Sequence, residues 1–62
     1  MKGTVKFYNA GKRFGFITGE DGKDYFVHET AIKGGALSDN DAVEFEPKEG
    51  DRGLKAENVT KE

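Results

Sequence analysis

Between Phe14 and His28 the chain alternates apolar and polar residues twice, on either side of an Asp-Gly pair, and this pattern leaves little choice of architecture. Phe14-Gly15-Phe16-Ile17-Thr18 and Asp24-Tyr25-Phe26-Val27-His28 both follow the two-residue period of a β-strand. The intervening Glu20-Asp21-Gly22-Lys23 suits a tight hairpin turn. The two strands are therefore expected to be antiparallel neighbours, with Phe14, Phe16, Phe26 and His28 side by side. Parity then places the rings on the polar side. Phe14 and Phe16 share it with Lys12 and Thr18 while Ile17 faces the other way, and Phe26 shares it with Asp24 and His28 while Tyr25 and Val27 oppose it. Burying one such ring is worth roughly 1.5 to 3 kcal/mol, so three on polar faces need a reason. Either another element covers them, or they form an open platform on which flat ligands stack, with cations alongside for phosphates. Their coincidence on two adjoining strands favours the platform.

The remaining chain reads as three further strands. Gly3 to Asn9 carries Thr4, Val5, Phe7 and Tyr8, all strand-favouring. Strict alternation pairs Val5 with Phe7 and Lys6 with Tyr8, so it cannot place both rings outside while Val5 stays inside. Asn9-Ala10-Gly11 is a turn, the second strand runs from about Arg13 to Gly19, and Gly15 permits sharp curvature or close approach of another backbone. Glu29 to Ile32 suits one helical turn that returns Ile32 to the core, followed by a glycine-containing loop from Lys33 to Asp41. Ala42 to Lys48 is a fourth strand with Val43 and Phe45 inward and Glu44, Glu46 and Lys48 outward. Pro47 suggests an edge position or the strand's end. After the turn Glu49 to Gly53, Leu54 to Thr60 is the fifth. Five short strands with glycine turns in 62 residues predict one all-β domain, a small closed or nearly closed barrel.

Charge is uneven along the chain. The net value is −2, yet residues 1–17 hold Lys2, Lys6, Lys12 and Arg13 with no acid, while residues 34–62 hold twice as many acids as bases. A basic segment overlapping the rings matters more to a polyanion than the total. Catalysis is not expected. His28 is the only histidine, there is no cysteine, and no Ser or Thr sits in a motif that a base would activate. Asp39-Asn40-Asp41 with Glu44 lacks the glycine and distant glutamate of the twelve-residue calcium loop, so it reads as a solvated turn. No metal and no cofactor are expected. No apolar run is long enough for a signal peptide or a membrane span, and a cytoplasmic location is expected.

Lys12 to Ile17 and Asp24 to His28 together resemble the paired ribonucleoprotein motifs of the cold-shock domain family. The similarity runs from Lys2 to Lys61, including Val5-Lys6-Phe7-Tyr8-Asn9 and Ala56-Glu57-Asn58-Val59-Thr60-Lys61. It implies a five-stranded antiparallel OB-fold-type barrel that binds single-stranded RNA or DNA, with a bulge near Lys6 or Phe7 that presents the first strand's aromatics and lysine to the ligand. Bases are then expected to stack on Phe7, Tyr8, Phe14, Phe16, Phe26 and His28, and Asp24 to accept from base amino groups. Lys6, Lys12, Arg13 and Arg52 are read as phosphate contacts flanking the rings. The expected role is RNA-chaperone-like, in a monomer with no small-molecule substrate and no membrane partner. The chain departs from the family at several points. Phe7 stands for the usual tryptophan, Arg13 for a glycine and Glu29 for an aromatic, and the loop from Lys33 to Asp41 has no aromatic, Leu37 being at best a partial substitute. A competing reading is a protein-interaction module that holds a Pro-rich or extended peptide on the same rings. The basic residues among them speak against it.

Overall fold

The computed structural model describes residues 1–33, 37–50 and 53–62. Five strands appear in the expected order: β1 (Lys2–Asn9), β2 (Phe14–Gly19), β3 (Asp24–His28), β4 (Ala42–Gly50) and β5 (Gly53–Lys61). A 3-10 turn, Glu29–Ala31, follows β3. The strands close into a barrel in the order β1-β2-β3-β5-β4. Four of the five junctions are antiparallel and the fifth, β3 with β5, is parallel. Topology requires this. A closed ring with an odd number of strands cannot alternate direction all the way round, so one pair must run the same way.

The core follows the parity of the sequence. Val5, Ile17, Tyr25, Val27, Ile32, Leu37, Val43, Phe45, Ala56 and Val59 are buried together. Ile32 reaches this core directly after the 3-10 turn, whose cap geometry returns to extended backbone at Ile32 itself. Leu37 is also buried, so it supports the fold and does not replace a ligand-facing loop aromatic. Asp39 ties the loop before β4 to β1, accepting from the Tyr8 backbone N–H at 3.3 Å, and Asp41 closes a turn by accepting from Ser38 N–H at 2.9 Å.

Two local features shape β1 and β2. The β1–β2 register slips between Val5 and Phe7, which is the bulge expected there, and it leaves Val5 buried while Lys6 and Phe7 are both exposed. The backbone of Val5 is completed by the loop before β4, through Val5 N–H to Asp41 O (2.9 Å) and Asn40 N–H to Val5 O (2.8 Å). Opposite the bulge, Gly15 is needed for space. A Cβ there would collide with the Phe7 carbonyl oxygen and lie 2.7 Å from Tyr8 Cα. Strand β2 starts at Phe14 and not at Arg13 because Arg13 adopts φ 63°, which an extended strand cannot contain. In β4, pairing with β1 covers only Ala42 to Glu44, so Pro47 lies where β5 is the single neighbour and its missing N–H costs no bond. The strand passes the proline and runs to Gly50 because the β4–β5 hairpin continues to the Gly50–Gly53 pair.

Candidate nucleic-acid interface

Register assembles the rings. Phe7 pairs with Phe16 across β1–β2, Phe16 with Phe26 across β2–β3, and Phe14 with His28 one step along. Ring centroids are 5.5 Å apart for Phe7–Phe16, 5.8 Å for Phe16–Phe26 and 5.7 Å for Phe26–Phe14. These spacings fall in the range where tilted and edge-to-face rings attract. The result is one unbroken chain of four rings, Phe7-Phe16-Phe26-Phe14, across three strands. Phe14, Phe16 and Phe26 are half-buried, each sheltered by its neighbours, and Phe7 at 40% is the most open large apolar side chain among the described residues. Mutual shelter explains how the fold tolerates rings on its outer surface.

The polar residues fall around this chain. Lys6 Nζ lies 3.1 Å from Asp24 Oδ2, and Thr18 Oγ1 donates to Asp24 Oδ1 at 3.2 Å. Asp24 is thus held in place beside Phe26, with lone pairs to spare and half of its side chain open to water. His28 is exposed, and its Nδ1 accepts from Thr30 N–H at 3.2 Å, capping the 3-10 turn while the rest of the imidazole faces out. Lys12 is exposed on the β1–β2 turn, which Asn9 Oδ1 fastens by accepting from Lys12 N–H at 3.1 Å. Arg13 and Glu29, two of the positions that depart from the family pattern, are partners of each other. Arg13 Nε lies 3.5 Å from Glu29 Oε2, and Glu29 N–H donates to the Arg13 carbonyl at 2.9 Å.

Lys6, Phe7, Phe14, Phe16, Asp24, Phe26 and His28 therefore share one face, with Lys12 and Arg13 at its edge. Tyr8 is half-buried, packed on the core, and borders the face without joining the ring chain. The bulge explains it: once Lys6 and Phe7 both point outward, the next residue turns in. Arg52 lies outside the described residues. Lys55 was not anticipated. It pairs with Phe26 across β3–β5 and lines a groove of about 590 Å³ with Phe16, Asp24, Phe26, Gly53 and Leu54. Its outward parity was readable in the sequence, but its neighbour across the parallel junction was not.

A closed five-stranded β-barrel with a row of outward rings edged by cations defines the class of OB-type binding barrels. The comparisons with known proteins make the assignment specific. The model of the 'Cold-shock' DNA-binding domain matches residues 1–62. The chain is 54% identical over 63 aligned positions to the Major cold shock protein of Micrococcus luteus, covering 95% of this chain and 94% of that one. It is 52% identical to Cold shock protein 2 of Lactiplantibacillus plantarum (92% and 91% covered) and 52% identical to the Cold shock-like protein CspG of Escherichia coli (95% and 90% covered). The chain belongs to the cold-shock domain family, whose members are nucleic-acid-binding proteins and not catalysts.

Proposed function

We propose that this protein binds single-stranded RNA or DNA by stacking bases on the Phe7-Phe16-Phe26-Phe14 chain, with His28 extending the surface beyond Phe14. The observation that carries this reading is the continuity of the rings across three strands. Successive bases of one strand each present a flat face, whereas in a duplex those faces are stacked on each other. Lys6, Lys12, Arg13 and, by the resemblance, Arg52 hold the phosphates. Asp24, fixed by Lys6 and Thr18, accepts from base amino groups. Holding bases apart on rings opposes their pairing, which is the physical content of an RNA-chaperone role. The protein acts as a monomer in the cytoplasm, without a membrane or small-molecule partner.

Titration of a labelled pyrimidine-rich strand and of a duplex of equal length at several salt concentrations tests the proposal. The single strand should bind at least about tenfold more tightly, each ring accounting for roughly 1 to 3 kcal/mol. The logarithm of its binding constant should fall with log salt at about −0.7 per phosphate contact, near −3 for four. Equal affinity for the two forms would remove the stacking platform as the explanation, and a slope near zero would point to a peptide ligand.

A further inference from the structure

The ring row does not end at Phe26. Register continues it across the closing junction: Phe26 pairs with Lys55 on β5, and Lys55 pairs with Lys48 on β4. Phe7, Phe16, Phe26, Lys55 and Lys48 thus occupy five consecutive strands at one level of the barrel, three rings followed by two ammonium groups. Both lysines are exposed, and neither joins an ion pair among the described residues. Like charges directly opposite each other in a sheet destabilise it. The acids on the same face, Glu46 and Glu57, pair with each other one step further along and lie within salt-bridge reach of neither lysine, and Glu46 is engaged by Asn58 Nδ2 at 2.8 Å. The Lys55 stem lies over the bare backbone of Gly50, where an added Cβ would come within 2.9 Å of its Cε, so the side chain leans away from those acids.

A like-charge pair that joins no ion pair among the described residues, placed at the end of a stacking row, fits an anion delivered by the ligand on that row. We propose that Lys55 and Lys48 form a second phosphate-binding element that carries the strand off the rings and across β5 and β4. The proposal rests on the single-strand reading above, and its ligand group is the phosphodiester of the strand already stacked on Phe16 and Phe26. It lengthens the site past the rings without adding a base contact, so it acts on strands long enough to reach β4.

Lys48→Gln, Lys55→Gln and the double variant test it against oligodeoxythymidylates of about four and about eight nucleotides, within the span known for one OB fold. Lys33→Gln, which removes one charge as each single variant does but lies on a groove beside Glu44 and Thr60, is the control. At about 0.1 M salt each lost phosphate contact lowers affinity about fivefold and flattens the salt slope by about 0.7. The double variant should therefore bind the longer strand about 25-fold more weakly, with a slope flatter by about 1.4, and bind the shorter strand as the parent does. Its melting temperature should stay level or rise, since a repulsion is removed. A loss no greater than that of Lys33→Gln on the longer strand, or an equal loss on both lengths, would overturn the proposal. Phe16→Ala separates the two levels of inference. If it weakens binding while the lysine variants do not, the lysine path alone fails; if neither matters, the single-strand reading fails with it.

Discussion

Replacing Glu29 by glutamine removes the charge that holds Arg13 and keeps the side chain's size and the backbone bond from Glu29 N–H to Arg13 O. The Arg13 and Glu29 side chains are 72% and 42% open to water, so their ion pair is worth only about 0.2 to 1 kcal/mol to the fold. In a domain of this size that corresponds to a fall in melting temperature of about 1 to 8 °C. Binding moves the other way. An Arg13 guanidinium that no longer has to leave a carboxylate before meeting its phosphate should strengthen single-strand affinity by what that pair was worth, about 0.2 to 1 kcal/mol or up to about fivefold, with the salt slope unchanged. Fluorescence anisotropy of a labelled oligonucleotide across a salt series reads both quantities. Arg13→Gln in the parent and in the Glu29→Gln background completes the cycle. The tightening should vanish once Arg13 is gone. If Glu29→Gln tightens binding equally with and without Arg13, the carboxylate repels phosphate by itself and the pairing is irrelevant; if it changes nothing, the two charges serve only the junction of β2 with the 3-10 turn.

Glu29→Phe also offers a ring and should tighten binding by about 1 to 2 kcal/mol, measured in the same assay. Phe16→Ala or Phe26→Ala should each weaken single-strand binding by roughly 1 to 3 kcal/mol with little change in melting temperature. Val27→Ala, in the fully buried layer, should instead cost about 2 kcal/mol of stability; thermal unfolding of the three variants side by side checks the inside and outside assignments. Gly15→Ala should destabilise by about 1 to 3 kcal/mol, because the obstructing atoms are backbone of β1 and cannot step aside. Hydrogen bonding from the Tyr25 hydroxyl holds Asp21 below its ordinary carboxylate value, and the Ser38 N–H does the same for Asp41. Depressed folded values mean that the stability these groups contribute is fully present above the ordinary carboxylate value and is lost as pH falls from there through the lower folded values. Unfolding followed from neutral to acid pH should show that loss, and it should be smaller in Asp21→Asn.

What could be read from the sequence was local. The alternation at Phe14, Phe16 and Phe26 against Ile17, Tyr25 and Val27 needs only the period of an extended chain, and the Asp-Gly turn fixes which strands adjoin. The side chains of β1 were not decidable by parity, because a one-residue bulge at Lys6 reverses every face after it; resemblance supplied the bulge, and the structure then turned Tyr8 inward. The Arg13–Glu29 pair lies one step past the Phe14–His28 register that the hairpin implies, where Arg13 has already left extended backbone. Lys55 was hidden by another cause, register between β3 and β5, which are distant in sequence. Pattern within a segment carries no information about that. The same holds for the parallel junction itself, which follows from counting strands around a ring and from no residue in particular.

That junction is the barrel's least laced line. Between β3 and β5 the only register pair among the described residues is Phe26 with Lys55, and the next bridge, Ile32 with Val59, comes after a gap where a groove of about 220 Å³ opens among Phe26, His28, Thr30, Ala31 and Lys55. A strand stacked on Phe26 and tethered at Lys55 would lie across this line like a splint. Ligand binding and barrel closure then draw on one free energy, so ligand at about a hundred times its dissociation constant raises the resistance to opening by about 2.7 kcal/mol. The amides that gain protection from hydrogen exchange should be those flanking the junction, and on the proposed reading the strand held open by the barrel would in turn hold the barrel closed.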